Sequence, residues 1–488
     1  MKEKVILFFW IVLIVSGSCK RENDEAETLS EKDKQQILKI FVDKKVNKFS
    51  NLLRRYHERY HFNGNLLISY EGQVIFNDFI GYADMKEKDT LHTNAVYQLA
   101  SVSKQFTAMA VMMLQEMDSL EYGDKMVKYI PELSDEKIHL YDSITIRHLL
   151  NHTSGLPNYM YFVEKYTKNS DNPYNDEIVE LMAKHKAYLN FRPGSRFLYS
   201  NTGYMILALI VERASGMKFG DFVDNRIFKP LGMSHSFVYS AVYDEDRYKD
   251  KLQGYRKYRR YFPIPENQHD GSVGDKGVYS TVNDLFKWDR ALNTDTLVST
   301  ETLEEAFSRG KLNSGKDIPY GYGFRIRGND EADWVVFHNG LWNGFKTGIV
   351  RYLDKNHTVI ILEHTNSRGK DLMLREIEKI LLSPHHNYTR VLVEKTLEEG
   401  LDAGNLIYES IEEMDLDLTL DEENIKKVYF YLDSIQKPKL AMQINLLYNE
   451  ITGNHIVNKE LPDEEAKLPQ EEKNMQIEQP PKIIDNDL

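Results

Sequence analysis

Residues 97–114 read YQLASVSKQFTAMAVMML, in which a serine and a lysine three positions apart precede a long apolar segment. The apolar run 106–114 predicts a buried helix with Ser101 at its N-terminus. Backbone N–H groups and the helix dipole favour developing negative charge there. A side chain at i+3 projects from the same helix face, so a neutral Lys104 can take the proton of the Ser101 hydroxyl. The segment predicts a nucleophilic serine; the alternative is a helix-capping serine beside a solvated lysine.

The Ser-x-x-Lys pattern alone is not specific, because it occurs six times in the chain. Only the occurrence at Ser101 opens a long apolar helix, whereas the others lie in polar loops or exposed helical segments. These others begin at Ser134, Ser215, Ser308, Ser367 and Ser434.

A second candidate group lies in residues 193–204, PGSRFLYSNTGY. Tyr199 and Asn201 follow a Pro-Gly turn and precede the apolar helical segment 205–211. A phenol and an amide held in such a loop can point into a cleft. Another Tyr-x-Asn triplet begins at Tyr188 but lacks this flanking structure.

A third candidate group is His338-Asn339-Gly340, at the end of the strand-like run 334–337. Glycine in a strand permits close approach of a ligand, and an edge strand offers backbone groups to an extended substrate. A histidine on a strand is also commonly a residue without a function, whose ring is hydrogen-bonded within the fold or faces solvent.

In this order, the three groups resemble the motifs of the penicillin-binding protein and class C β-lactamase superfamily. The resemblance covers about residues 40–380 and extends to the flanking segments 148–157, 274–281 and 320–324. It implies that Ser101 is the acylated nucleophile and that Lys104 and Tyr199 share the general-base work. It further implies that Asn201 orients Lys104 and the substrate amide.

The resemblance also implies that His338 stands where the family places a cation or donor for a substrate carboxylate. The backbone N–H groups of Ser101 and of Leu341, which follows Gly340, would form the oxyanion hole. The motif begins with His rather than Lys, as in some D-alanyl-D-alanine peptidases and esterases of the superfamily. Since histidine is charged only below about neutral pH, we expect carboxylate binding to be weaker or pH-dependent. We interpret a literal Lys-Thr-Gly at 346–348 as a coincidence within the next strand.

The N-terminus resembles that of an exported lipoprotein. Two lysines precede the apolar run 5–15, which is too short to span a bilayer but suits a secretory signal. Small residues then lead to Cys19, the only cysteine. We expect a signal peptide over 1–18, lipidation of Cys19, a tether over 19–31, and a location in the cell envelope, facing the periplasm or the cell surface. The alternative is an ordinary cleaved signal followed by an incidental cysteine.

The remaining patterns predict an α/β fold of the α+β type with two lobes. A helix over 31–60 and a hairpin of strands 65–70 and 73–79 precede a mainly helical middle part. Late strands at 322–326, 334–337, 345–352 and 358–363 and a helix over 372–382 then complete an antiparallel sheet flanked by helices. We therefore place a hydrolase domain at 32–383. A small helical appendage follows at 384–455, with helices near 391–397, 425–432 and 440–451, and 456–488 reads as a disordered acidic tail.

The net charge of -13 argues against nucleic acid as a partner, and the histidines lack the spacing of a zinc site. We expect no cofactor and no metal. The function predicted is an exported serine hydrolase that cleaves a peptide, amide or ester bond through an acyl-enzyme, similar to D-alanyl-D-alanine peptidases or esterases. Peptidoglycan-derived peptides are one substrate class that this implies. The alternatives are a true β-lactamase and a non-catalytic scaffold that keeps the penicillin-binding fold.

Overall fold

The computed structural model describes residues 31–134, 141–168, 171–185, 188–243, 251–329, 332–382, 386–387, 389–413 and 418–457. The chain divides into two compact units, one formed by Val42–Ser383 and the other by Met1–Phe41 with Pro384–Leu488. The predicted signal peptide, Cys19, the tether up to residue 30 and nearly all of the acidic tail lie outside the described residues. Among the helices that are described, none combines the length and apolar character needed to cross a membrane.

The strands are, in chain order, β1 Gly64–Tyr70, β2 Gln73–Ile80, β3 Tyr97–Gln98, β4 Phe237–Val238, β5 Tyr255–Lys257, β6 Tyr261–Pro263, β7 Val278–Ser280, β8 Arg325–Asn329, β9 Ala332–Trp342, β10 Phe345–Tyr352, β11 His357–Glu363, β12 His386–Asn387 and β13 Leu418–Thr419.

The α-helices are α1 Glu31–Tyr60, α2 Lys104–Glu116, α3 Met126–Tyr129, α4 Ile146–Leu150, α5 Tyr159–Tyr166, α6 Asn175–Lys184, α7 Asn201–Ser215, α8 Phe219–Val223, α9 Val282–Ala291, α10 Thr300–Ala306, α11 Lys370–Leu381, α12 Thr389–Glu399, α13 Leu401–Glu413, α14 Glu422–Ser434 and α15 Pro438–Thr452. Short 3₁₀ helices occupy Ala100–Ser103, Pro131–Leu133 and Tyr141–Ser143, and a π-helical turn follows α8 at Asp224–Phe228.

The central sheet has six strands in the order β2-β1-β11-β10-β9-β8, and every neighbouring pair is antiparallel. The antiparallel sheet built from early and late strands is thereby confirmed. Alternation along β11 explains its burial on both faces. Ile360 and Leu362 pack into the core of the helical lobe, whereas Val359 and Ile361 pack into a second core beneath α1 and α11.

The helical lobe is built around α2 and α7, whose middle residues are almost all buried. Phe106 of α2 packs against Trp288 and Phe228 with ring centroids 4.5 and 5.4 Å apart. Such helices are apolar on all sides because they lie inside the lobe. They bring the N-termini of α2 and α7 to the same region, where the candidate catalytic residues lie.

Two strand predictions differ from the structure. The strand predicted at 334–337 extends over Ala332–Trp342 as β9, so His338, Asn339 and Gly340 lie within it rather than at its end. The strand predicted at 322–326 instead begins at Arg325, because Gly323 adopts a positive φ of 82° and turns the chain just before it. A three-stranded sheet in the order β3-β7-β4 was not predicted from the sequence. Its strand β7 is hydrogen-bonded to Leu99, just before the Ser101 turn. In the second unit, α12, α14 and α15 correspond to the three predicted helices, and α13 is an additional one.

Candidate active site

Ser101 lies in a 3₁₀ turn immediately before α2 rather than in the α-helix itself. The preceding residue, Ala100, is buried and has a φ of +51°. This conformation costs a non-glycine residue about 1–3 kcal/mol. Hydrogen bonds to Leu99 hold the turn, since its N–H donates to Val278 O at 2.8 Å and its carbonyl accepts from Thr347 Oγ1 at 2.7 Å. Ser101 itself is half-buried, so its hydroxyl remains accessible to a ligand.

Lys104, the first residue of α2, is fully buried, and its amine contacts three oxygens. Lys104 Nζ lies 3.1 Å from Ser101 Oγ, 2.9 Å from Asn201 Oδ1 and 2.7 Å from Asp275 O. The amide and backbone oxygens can only accept hydrogen bonds. A neutral amine that donates to both of them turns its lone pair toward Ser101, which is the arrangement needed to receive the hydroxyl proton.

Asn201 and Tyr199 are positioned by the start of α7. Ser200 is the N-cap, and its Oγ accepts from the N–H of Gly203 at 3.4 Å. Asn201 therefore begins the helix with its side-chain oxygen on Lys104. Two distant motifs predicted from the sequence are thus brought into direct contact.

Tyr199 packs its ring beside the same amine, with Lys104 Nζ 5.0 Å from the ring centroid. Its phenolic oxygen is buried and has no hydrogen-bond partner among the described residues. A buried hydroxyl without a partner is costly unless a ligand or a proton-transfer partner completes it. The role of Tyr199 in proton transfer remains a prediction.

His338 is fully buried, and both ring nitrogens have partners. Nδ1 lies 2.8 Å from Asn339 O, so it carries the proton, and Nε2 accepts from Tyr320 Oη at 3.0 Å. Burial, followed by the charges of Lys104 and Arg325, holds the pKa of His338 well below its usual range. The ring is therefore neutral near pH 7 and supplies no positive charge for a carboxylate. A part of His338 in substrate binding remains a prediction.

Gly340 lies against the turn that carries Ser101. A Cβ atom at this position would come within 2.2 Å of Leu99 O and of Thr347 Oγ1, so only glycine fits. The Thr347 of the literal Lys-Thr-Gly thus lies on β10, where it pairs with Gly340 and supports the turn from the neighbouring strand. This agrees with its interpretation as part of the next strand.

Leu341 follows on β9, where it pairs with Lys346 of β10 and has a side chain that is 61% exposed. The last residue of β9 that pairs with β8 is Phe337. The segment beyond it therefore offers a strand edge of the kind expected for an extended substrate. The assignment of its N–H to an oxyanion hole remains a prediction.

Asp275 is a site residue to which the sequence analysis assigned no role. It lies in the loop before β7, within the flanking segment 274–281, and its carbonyl oxygen accepts from Lys104 Nζ. The loop is held against α7, because a Cβ at Gly274 would come within 2.5 Å of Ala208 Cβ. The neighbouring Lys276 is also buried, with its amine 2.6 Å from Ser272 Oγ and 2.8 Å from Tyr159 Oη.

His152 is a second residue that the sequence analysis missed, although the segment 148–157 around it was noted. It is buried with a φ of +57°, and its ring centroid lies 4.4 Å from that of Tyr199. Its Nδ1 accepts from the N–H of Ser200 at 3.1 Å. Burial, and then Lys104, keep its pKa well below the usual range, so the neutral ring carries its proton on Nε2. That nitrogen has no partner among the described residues.

Arg325 is the third missed residue, and no sequence motif includes it. Its guanidinium lies 4.9 Å from the centroid of the Tyr199 ring. It is close enough to His338 and His152 that its charge lowers the pKa of both. It is half-buried, and no carboxylate among the described residues lies within ion-pair distance of it. An arginine in this position can pair with an anionic group of a ligand.

The described parts of the chain contain no cluster of three or more His, Cys, Asp or Glu side chains that could hold a metal ion.

Comparisons with known proteins bear on the family and the fold. The β-lactamase family model matches residues 49–381. Penicillin-binding protein 4* of Bacillus subtilis is 36% identical over 336 residues, which are 66% of this chain and 73% of that protein. The octameric penicillin-binding protein homologue from Pyrococcus abyssi matches with a TM-score of 0.60 and 24% identity, over 72% of this chain and 81% of that chain. The D-amino acid amidase from Ochrobactrum anthropi matches with a TM-score of 0.57 and 19% identity, over 69% of this chain and 98% of that chain.

Proposed function

The chain belongs to the β-lactamase family, and on that premise we propose that it is a serine hydrolase that cleaves a peptide, amide or ester bond through an acyl-enzyme on Ser101. The observation that carries the proposal is the amine of Lys104, which lies between Ser101 Oγ and two oxygens that can only accept. This arrangement prepares a neutral amine to receive the serine proton.

In the first half of the reaction, the Ser101 proton passes to Lys104 Nζ as Oγ bonds to the substrate carbonyl carbon. The carbonyl oxygen takes the electron pair of the broken π bond and is stabilised by the N–H groups of Ser101 and Leu341. The tetrahedral intermediate then expels the leaving group, which receives a proton from Lys104 by way of the Tyr199 phenol. Water then attacks the acyl carbon of the resulting ester and passes a proton to Lys104 by way of the Tyr199 phenol. The bond between that carbon and Ser101 Oγ breaks, Oγ receives the proton from Lys104, and the acid is released.

Within this class we favour a substrate that carries a free carboxylate near the cleaved bond, as D-alanyl-D-alanine peptides do. Arg325 supports this choice, because it is the arginine beside Tyr199 and has no carboxylate partner among the described residues. A neutral His338 cannot supply that charge. An esterase acting on neutral substrates would have no use for a cation at this position.

A covalent label tests the nucleophile. We expect a fluorescent penicillin or a fluorophosphonate probe to label the wild type and not Ser101→Ala. Ser308→Ala is the matched control, because Ser308 begins another Ser-x-x-Lys pattern on the exposed surface. Equal labelling of Ser101→Ala would contradict the assignment. Failure of folded wild type to react with any probe would favour the non-catalytic scaffold.

Turnover of nitrocefin separates a peptidase from an efficient β-lactamase. Deacylation of a penicilloyl enzyme needs a water activated inside the cleft while the bulky penicilloyl group remains bound there. We therefore expect a stoichiometric burst followed by slow turnover. Rapid multiple turnover would show that the enzyme is a true β-lactamase.

We also propose that the protein is an exported lipoprotein anchored through Cys19 in the cell envelope. Two lysines, the apolar run 5–15 and three small residues precede Cys19 in the order typical of a lipoprotein signal, and this order supports the proposal. Metabolic labelling with a radioactive fatty acid should modify the wild type and not Cys19→Ala. Equal incorporation, or none in either protein, would contradict lipidation.

A further inference from the structure

A cavity of about 360 Å³ lies away from the catalytic residues. It is bounded by the end of α1, the hairpin β5–β6 and the segment that follows β11, and we call it the basic cavity. Five basic residues contribute to its lining, together with tyrosines and the polar residues 365–367: Arg59, His61, Arg256, Lys257 and Arg368.

The lining of the basic cavity contains no acidic residue, although the chain as a whole has a net charge of -13. None of its arginine and lysine side chains lies within ion-pair distance of a carboxylate in the described part of the chain. Two acids are close in sequence to lining residues. Glu58, next to Arg59, is exposed and forms no ion pair among the described residues, and Glu363 is buried, which raises its pKa to about 7. Like charges held together without counter-charges favour the binding of an anion.

Tyrosine rings hold two of the cations in place. The Arg256 guanidinium lies 5.3 Å from the centroid of the Tyr258 ring, and Lys257 Nζ lies 5.4 Å from that of Tyr261. Tyr258 is 67% exposed. Its ring is therefore available to contact the apolar or sugar-like part of a ligand whose anionic group lies among the cations.

Hydrogen bonds join the walls of the cavity to one another. Thr365 Oγ1 donates to His61 O at 3.3 Å, which connects the segment after β11 to the end of α1. The N–H of Tyr255 donates to His364 O at 2.7 Å, which connects the same segment to the hairpin. The cavity is thus formed before any ligand binds, so little conformational entropy is lost on binding.

We propose that the basic cavity binds a phosphate-bearing group, as a monoester or a diester. An arginine guanidinium can donate two parallel hydrogen bonds to two phosphate oxygens. A single carboxylate would leave most of the positive charges in the cavity unpaired, namely those of Arg59, Arg256, Lys257 and Arg368. The volume is within the range of small-ligand sites, so a phosphate with a small substituent fits.

The cavity lies at the same end of the central sheet as the candidate active site. Leu341 on β9 pairs with Lys346 on β10, which pairs in turn with Glu363 at the end of β11. Two strand spacings of about 4.8 Å separate Leu341 from Glu363. A phosphate-bearing ligand in the cavity would therefore be at the end of the sheet that carries the candidate active site.

Calorimetric titration of the purified full-length chain tests the proposal. We expect inorganic phosphate and glycerol 3-phosphate to bind with dissociation constants of about 1 mM or below, more tightly than acetate, and more weakly as salt rises. Arg256→Glu combined with Arg368→Glu, both exposed, should weaken phosphate binding at least ~10-fold. Lys184→Glu combined with Arg226→Glu, exposed residues outside the lining, is the matched control.

The result that overturns the proposal is absence of phosphate binding by the wild type, or unchanged binding by the Arg256/Arg368 double variant. Circular dichroism and penicillin labelling at Ser101 check that this variant is folded. Sedimentation of the Cys19→Ala chain with phosphatidylglycerol or phosphatidylcholine vesicles distinguishes a lipid headgroup from a soluble phosphate ester. Since binding is measured equally well with Ser101→Ala, its outcome is independent of the proposed hydrolase activity.

Discussion

Lys104 Nζ lies 3.1 Å from Ser101 Oγ, and its two other contacts are with oxygens that cannot donate. When the lysine is neutral, its lone pair is directed at the hydroxyl. Ser101 and Lys104 are only three positions apart in sequence. The oxygens that orient the amine belong to Asn201 and Asp275, which follow Lys104 by 97 and 171 positions. The orientation of the amine therefore depends on the packing of α2, α7 and the segment 274–281.

Replacement of Lys104 should abolish most of the acylation. We expect both Lys104→Ala and Lys104→Arg to slow labelling by a fluorescent penicillin by ~10²–10⁴-fold, the usual contribution of a general base. Arginine cannot lose its proton at neutral pH and so cannot act as a base, which is why it should not rescue the reaction. Lys128→Ala, at an exposed lysine paired with Asp124, serves as the control. Labelling of Lys104→Ala at the wild-type rate would disprove the role.

Arg325→Gln should change substrate preference rather than the chemical step. Loss of a charged hydrogen bond costs about 1.5–3 kcal/mol, so KM for a peptide with a free carboxylate should rise ~10–100-fold. KM for the corresponding amide or ester should stay the same. Arg327→Gln is the matched control, because Arg327 lies two residues along β8 and pairs with Glu378. An equal rise in KM for the carboxylate peptide and for the amide or ester would argue against carboxylate recognition.

His152 should act as a positioning residue for Tyr199. Phenylalanine in its place would keep ring packing but leave the Ser200 N–H without an acceptor, at a cost of about 1–3 kcal/mol. Asparagine retains an acceptor and tolerates positive φ. We expect kcat to fall in His152→Phe with KM nearly unchanged, and His152→Asn to be closer to wild type. Equal kcat values for the two variants would show that the hydrogen bond from the Ser200 N–H does not position Tyr199.

Gly340→Ala should disrupt both the fold and the site. The new methyl group would meet Leu99 O and Thr347 Oγ1 at 2.2 Å, and overpacking of this kind typically costs about 1–3 kcal/mol. Urea unfolding and penicillin labelling should both show a loss. Gly123→Ala is the control, since no atom lies within 4 Å of its added Cβ and its φ is not positive. Alanine there should be neutral or stabilise the protein by about 0.4–1 kcal/mol.

Stability should decrease as the pH falls below about 6.5. Burial lowers the pKa of His357 to about 4, with further contributions from Lys45 and Lys355. Between pH 6.5 and 4 the unfolded chain binds a proton at this residue that the folded chain does not, so stability present above pH 6.5 is lost with a slope of up to about 1.4 kcal/mol per pH unit.

The pH dependence of the urea midpoint checks this expectation. His357→Phe should be less stable at pH 7, because His357 Nδ1 accepts from the N–H of Glu71 at 3.0 Å. Its midpoint should nevertheless vary less between pH 6.5 and 4. His235→Gln, at an exposed histidine, should follow the wild type. A steeper dependence in His357→Phe would show that another group dominates.

Local patterns were sufficient for most of the central sheet. The strand predicted at 345–352 coincides with β10, and the hairpin and helix at 31–79 differ from α1, β1 and β2 by no more than one residue at each end. Apolar periodicity determines these elements, because each one buries side chains along its own length. The sheet β3-β7-β4 was not predicted because its strands are only two or three residues long and pair across about 40 and about 180 positions.

The chain's order of residues was enough to place Ser101 and Lys104 on one helical turn, since i and i+3 face the same way whatever the rest of the fold does. It was also enough to suggest Tyr199, Asn201 and His338, because a turn and an apolar helical segment flank the first two and a strand-like run precedes the third. Only the tertiary structure decided that His338 is buried and neutral, and that Arg325 and His152 surround Tyr199. Burial and the field of distant charges depend on packing between remote segments, and no periodicity within one segment encodes them.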